Sequence, residues 1–311
     1  MIHGQETINI LVSQKKKKIL MHNLPQSGIL NDGNRLHLNH GPIDLIIEAF
    51  GDHEVVRSAY EKAQIKFNHI LADLVAELSL LRAPVSPTQK LLKSAIGLRM
   101  QEAVYPFYPT FVTPMAAVAG AIADYMLGEL CENNKLRKAY VNNGGDIAIY
   151  LRDDEVFNIG IITDLKTRAI WGTTTITHID NINGIATSGR HGRSHSLGIA
   201  DAVTVLAKNS AQADAAATLI ANAVDVQDTT LVKKIPANEL SPDSDLADQL
   251  VTVDVAKLPQ KLAERAVAQG CDRAVDYIDR GLIKAATISL QGIVEVVGSR
   301  HILTQNCNAK I

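Results

Sequence analysis

The sequence predicts an α+β fold, a mixed or antiparallel sheet packed with helices. Two observations carry this. Short apolar runs broken by turn residues crowd the middle of the chain, and longer helical periodicities lie before and after them rather than alternating with them one for one. The size supports it too: 311 residues of which 46% are hydrophobic can bury one large core or two modest ones without a disulfide or metal staple. No repeat of fixed period and no clear linker divides the chain, so residues 1–311 read as a single unit, with two lobes as the alternative.

Taken in order, IDLIIEAF before Gly51 reads as a strand ending at a turn, and Asp52 is placed to cap the helix that follows. Val56, Ala59, Ala63, Phe67, Ile70, Leu74, Leu78 and Leu81 recur at steps of three and four until Pro84 and Pro87, which predicts one long helix with a core-facing stripe. A second helix is expected over 88–103. A third, rich in small residues, is expected from Pro114 to Cys131. KAYVNNGGDIAIYL, VFNIGIITDL, AIWGTTTITHI, GIATSG and LGIADAVTVLA then predict strands of one sheet. SAQADAAATLIANAVD predicts a helix with Ser210 as its cap, residues 226–245 an irregular excursion, and 258–280 a late helix. In AATISLQGIVEVV, Gly292 is expected to bend or interrupt a terminal strand.

Composition narrows the function. A formal charge of −2 and 4% aromatic residues supply neither the field nor the stacking platforms of a nucleic-acid binder; the run Lys15 to Lys18 reads as a solvated strand edge. Cys131, Cys271 and Cys307 are odd in number and widely spaced, unlike a disulfide framework or a metal knuckle, so they are expected to be reduced thiols. The N-terminus lacks a basic start followed by an apolar run, and no segment stays apolar for the ~18 residues that a membrane span needs. A cytoplasmic protein without a membrane segment is expected.

Three constellations carry chemistry. Asp214 and Thr218 stand four apart on the Ala-rich helix, hence on one face, and their carboxylate and hydroxyl oxygens suit a hard cation such as Mg²⁺; an exposed Asp and a Thr bonded back to its own helix is the alternative. Asn142-Asn143-Gly144-Gly145-Asp146 has the residues of a tight hairpin turn, and reads either as that alone or as a rim whose amides and side chains contact a ligand. In GIATSGRHGRSHSLG, the glycines allow close backbone approach while Arg190, His191, Arg193 and His195 can meet an anion or carry a proton; a solvated loop is the competing reading. A serine elbow, HExxH, a Walker A loop and a GxGxxG turn are all missing, which removes the usual signals of hydrolase, zinc peptidase, P-loop and Rossmann sites.

Read together and in order, NNGGDIAIYL, GIATSG, the His-bearing turn, ADAVTVLA and ADAAATLIANAVD resemble the ApbE family of Mg²⁺-dependent FAD:protein FMN transferases over about residues 110–225. The resemblance implies a fold related to the T-fold, with Asp214 and Thr218 on the metal. It also implies that Asn143, Gly144, Gly145, Asp146, Thr187, Ser188 and Gly189 line the flavin-nucleotide pocket, and that His195 takes the proton of an attacking hydroxyl. Arg190 and Arg193 are expected to steady phosphate oxygens, on charge and proximity alone. The implied ligands are Mg²⁺ and FAD, as substrate or bound ligand, and the implied partner is an acceptor protein; apart from the resemblance, residues 1–42 and 226–311 are candidates for packing the sheet, capping the pocket or contacts in a homodimer. Two departures stand beside these matches. Ala119 to Asp124 lacks the lysine common at this helix start in the family, and Ser196-Leu197-Gly198 replaces a longer turn after the histidine. A flavin-binding protein without turnover is therefore the alternative to the enzyme.

Overall fold

A computed structural model describes residues 24–132, 135–164, 170–298 and 304–305. The expected strand edge at Lys15 to Lys18 and the thiol of Cys307 lie outside the described residues. The core of the molecule is a sheet of nine strands. In spatial order they are β1 (Gln26–Ile29), β2 (Leu36–His40), β3 (Ile43–Phe50), β4 (Lys138–Asn143), β5 (Asp146–Leu151), β8 (Gly184–Ser188), β9 (Ala202–Ala207), β12 (Ala285–Leu290) and β13 (Ile293–Gly298). Every pairing within it is antiparallel. β6 (Val156–Ile162), β7 (Ile170–Thr177) and β14 (Thr304–Gln305) form a second sheet, and β10 (Val232–Pro236) with β11 (Leu250–Val255) a two-stranded ribbon.

Alternation assigns the faces. In β3, Ile43, Leu45, Ile47 and Ala49 are buried while the residues between them are half-buried. β9 and β12 are buried at every position, as strands covered on both faces must be. One face of the sheet carries the helices α1 (His53–Ala76), α2 (Ala95–Val104), α3 (Val118–Cys131), α4 (Ser210–Ala223) and α5 (Gln260–Asp279), which bury Phe67, Met100, Ile122, Ile220 and Tyr277 in a single large core. The other face carries a smaller core in which β6 and β7 lay Phe157, Ile159, Ile161 and Ile176 over Ile149, Ile185 and Leu206. The middle strands therefore do not make one sheet, as expected, but two. Period-two alternation tells which side of a strand is apolar and does not tell which sheet it pairs with.

Other boundaries also shift. The long helix ends at Ala76, before the prolines, and Leu78–Leu81 form a separate turn that still buries Leu81. Asp52 holds the N-cap position of α1 without a side-chain cap bond. α2 starts at Ala95 rather than 88, because Ser94 accepts from Gly97 N at 3.0 Å and the Glu77 carboxylate accepts from Lys93 N and Ser94 N. The cap of α4 is Asn209, accepting from Gln212 N at 2.8 Å; Ser210 is the first helical residue and fully buried. The segment expected to be irregular contains β10 and the helical turn Ala237–Leu240. Gly292 sits at φ 89° beside Gln291 at φ 47°, a tight turn that folds the terminal segment into the β12–β13 hairpin. Among the described residues no helix is long and apolar enough to cross a membrane. Cys131 and Cys271 are free thiols, raised by burial to about 12 and about 11.

Candidate functional site

The site is assembled where the β4–β5 hairpin ends against the starts of α3 and α4. Along β4, Ala139 and Val141 face the helices, and Asn143 continues that face. Gly144 and Gly145 reverse the chain at φ 67° and 118°, and Asp146 pairs directly with Asn143 on the way to the helix-facing Ala148. An amide and a carboxylate thus stand side by side at the end of the hairpin, facing the helix layer. Asn143 is 2% exposed and its Nδ2 donates to Ala119 O at 3.1 Å, the carbonyl in the first turn of α3. From α4, Asp214 accepts from Gly120 N at 3.0 Å in the same turn. Thr218 follows one helical turn later and is half-buried like Asp214.

The two helices exchange caps. Asp214 of α4 takes a free N–H at the start of α3, and Asp124 of α3 takes two at the start of α4, accepting from Ser210 N and Ala211 N at 2.9 Å each. Their close crossing depends on Gly120, where an added Cβ would fall 2.3 Å from Ser210 O. The sequence signal for Asp124 is a lone charge in an otherwise apolar stretch, AVAGAIADYML. Nothing in that stretch marks its role in the crossing, because the residues it caps lie 86 and 87 positions away in the chain.

Electrostatics set these carboxyls apart. Burial raises Asp214 well above the usual carboxylate range, the charge of Asp146 raises it further, and the N–H groups of Gly120 and Ala119 oppose both. Burial also raises Asp146, against a hydrogen bond from the Thr187 backbone and the positive charge of Arg193. Asp124 is raised by burial and held down by its two N–H partners. Asn143 Oδ1 and Asp146 Oδ1 are buried without a hydrogen-bond partner among the described residues. Buried oxygens of this kind are costly unless something electropositive meets them.

The other expected residues are placed unevenly. Arg193 is exposed but lies over the hairpin turn: a Cβ on Gly144 would come within 2.7 Å of its Nη2, so glycine there serves both the positive φ and the guanidinium. Arg190 faces another way, its Nε and Nη2 on Asp201 Oδ1 at 2.9 and 2.8 Å, while Asp201 also accepts from Gln291 N. Arg190 therefore ties the loop down to the β12–β13 turn. Thr187 shares the face of Ile185, under β6 and β7, where its hydroxyl lies 2.9 Å from that of Thr204; only its backbone reaches Asp146. Ser188 is half-buried and Gly189 buried. His195 stands exposed on the loop, just before a segment anchored by Leu197 N to Asn222 Oδ1 at 3.0 Å and by Lys234 Nζ to Leu197 O. Two cavities of about 430 and 760 Å³ lie elsewhere, one against β1, β2 and α1 and one beside the C-terminal ends of α4 and α5, and share no residue with the site.

Comparison with known proteins assigns the chain. A family model described as AbpE bacteria matches residues 27–296. The chain belongs to this family. The resemblance drawn from the ordered motifs agrees with that membership, and the match runs from within β1 to within β13, the two edge strands of the nine-stranded sheet. Among curated relatives, the AbpE chain is 42% identical over 113 residues to a UPF0280 protein of Methanocaldococcus jannaschii, 36% of this chain and 45% of that protein. It is 35% identical over 193 residues to a UPF0280 protein of Methanothrix thermoacetophila, covering 60% and 75%. The first of these matches spans less than half of its relative's length. Similar solved structures include the ApbE protein of Thermotoga maritima, with 14% identity, TM-score 0.37 and 80% and 77% of the two chains covered. Another is the apo form of the flavinyl transferase ApbE of Pseudomonas stutzeri, with 10% identity, TM-score 0.39 and 88% and 93% covered.

Proposed function

We propose that this AbpE protein processes a flavin dinucleotide, transferring FMN from FAD to a protein hydroxyl or to water with release of AMP, at a Mg²⁺ site held by Asp214 and Thr218. The observation that carries the reading is the oxygen-rich corner where α4 meets the first turn of α3 and the end of the β4–β5 hairpin. Carboxylate, hydroxyl and amide oxygens are the donors that hard cations take, and two of them, on Asn143 and Asp146, have no hydrogen-bond partner among the described residues. Those residues fit the ion. When bound, Mg²⁺ supplies charge neutralisation to the diphosphate of the dinucleotide.

The protein's own groups have separate tasks. Asp214 and Thr218 fix the ion from one helix face. Gly144 and Gly145 keep the hairpin end low enough for a ligand's polar edge to approach. Arg193, lying across that turn, binds phosphate oxygens. In the transfer, the acceptor oxygen forms a bond to the FMN phosphorus while the bond from that phosphorus to the bridging oxygen breaks. AMP leaves with the electron pair, and the acceptor's proton passes to His195, whose exposed position suits an acceptor arriving from solvent. The test is incubation of the protein with FAD, Mg²⁺ and a candidate acceptor. AMP release above a metal-free control is expected, and none in any condition would sink the enzymatic reading.

One observation favours binding without turnover. The stretch Ala119 to Asp124 has no lysine, and its terminal carboxylate is occupied in capping α4. On that reading FAD binds tightly in calorimetry and is recovered intact. Arg193 serves either version. Arg193→Ala is expected to weaken FAD binding roughly 10- to 100-fold, the equivalent of one charge-assisted hydrogen bond of about 1.5–3 kcal/mol. Unchanged affinity in a fluorescence titration would remove Arg193 from the site.

A further inference from the structure

We infer that Asp146 and Asn143 are themselves oxygen ligands of the divalent cation, so that the β4–β5 hairpin closes from the sheet side a site that α4 opens from the helix side. The inference rests on the proposed cation at Asp214 and Thr218 and turns two neighbouring oxygens of that corner into direct ligands.

Three independent features point the same way. The first is register: Asn143 and Asp146 are directly paired partners at the end of the hairpin, and alternation sends both side chains to the face that carries α3 and α4. The second is how each is held. Asn143 Nδ2 is occupied by Ala119 O and Asp214 Oδ2 by Gly120 N, so the sheet and α4 grip the two sides of one peptide group in the first turn of α3. That fixes the amide of Asn143 with its oxygen unpartnered, in a residue 2% exposed. The third is Asp146, whose Oδ1 is likewise buried without a hydrogen-bond partner among the described residues.

Without a cation, two carboxylates are packed into one corner with Arg193, itself exposed, as the neighbouring positive charge, and each burial is unfavourable. A divalent ion bound by one oxygen from each of Asp214, Asp146 and Asn143, together with the Thr218 hydroxyl, removes the repulsion and meets both orphaned oxygens. Four protein oxygens leave positions for water or for phosphate oxygens, as a Mg²⁺ site that works on a nucleotide requires.

The experiment uses the full chain and Mn²⁺ alone, with calorimetry for affinity and melting curves with and without metal. Wild type is expected to bind one Mn²⁺ and to melt higher in its presence. Asp146→Asn is nearly isosteric and removes one of the two repelling charges. It is expected to melt no lower than wild type without metal, yet to bind Mn²⁺ at least roughly 10- to 100-fold more weakly and to lose the metal-induced shift. Asn143→Asp, which keeps an oxygen in place, is expected to retain binding. Asp146→Asn binding Mn²⁺ like wild type, while Asp214→Asn does not bind, would overturn this inference and leave the Asp214 site standing. Failure of wild type to bind, or undiminished binding by Asp214→Asn, would overturn the reading beneath it. A lower metal-free melting temperature in Asp146→Asn with unchanged Mn²⁺ affinity would show the two carboxyls sharing a proton for stability, and would also overturn the inference.

Discussion

Replacing Asp214 with Asn should reduce Mg²⁺-dependent AMP release from FAD to the level seen with a chelator, while the protein melts no lower than wild type in the absence of metal. The two halves of this expectation have different causes. The activity falls because an amide is a far poorer ligand for a hard cation than a carboxylate, and a phosphoryl-transfer site that loses its metal loses the charge neutralisation on which the reaction depends. The fold survives because the carboxyl is already disfavoured as an anion. Burial and Asp146 both raise it, so exchanging the charge for a neutral oxygen relieves repulsion and keeps an acceptor for Gly120 N.

Asp214→Ala is the informative companion. It loses activity equally and also leaves the N–H groups of Gly120 and Ala119 without their acceptor, a lost cap of about 1 kcal/mol, which in a chain of this size lowers Tm by a few degrees. Asp214 caps the start of α3 in addition to its proposed role as a ligand, so truncating it costs stability as well as metal. Full Mg²⁺-dependent AMP release by Asp214→Asn would end the assignment.

How much of this was legible in the sequence depends on the range of the interaction involved. The stripe Ala59, Ala63, Phe67, Ile70 and Leu74 predicts α1 because a helix buries neighbours three and four residues apart, a purely local rule. Asn142 to Asp146 predicts its hairpin for a similar reason, since only a few residue types accept the φ values of Gly144 and Gly145. The spacing of Asp214 and Thr218 places both on one face of α4, again locally. That Asp146 and Asn143 come to the same corner is not local. It needs the hairpin register, the placement of α4 on β8 and β9, and the crossing of α3, none of which leaves a mark in the spacing of residues. Thr187 shows the converse case. Its place in TSG suggests a ligand contact, but strand alternation turns its side chain to the β6–β7 face and leaves only its backbone near Asp146. Arg190 and Arg193 stand three apart in one loop, and nothing in their spacing says that Asp201 takes the first while the Gly144 turn lies beneath the second.

Gly120→Ala should be among the most damaging single substitutions in the chain, and should remove the site together with stability. The new methyl would lie 2.3 Å from Ser210 O and 2.7 Å from Ala211 N, against backbone rather than against the end of a side chain that can swing aside. Relief requires α3 and α4 to move apart. Overpacking a tight contact ordinarily costs about 1–3 kcal/mol, and here separation also stretches the bonds by which Asp214 and Asp124 cap the opposite helices. The two effects compound, because each helix start would lose an acceptor while a buried carboxylate lost its donors. A drop of several degrees in Tm is expected, with Mn²⁺ binding weakened in protein that remains folded at low temperature, since Asp214 would no longer be held against the turn that Asn143 grips. The control is Gly128→Ala on the same helix, where a Cβ meets nothing within 4 Å and the helix gains from the better helix former. If Gly120→Ala melted and bound metal as Gly128→Ala does, the close crossing of α3 and α4 could not be what sets the geometry of the site.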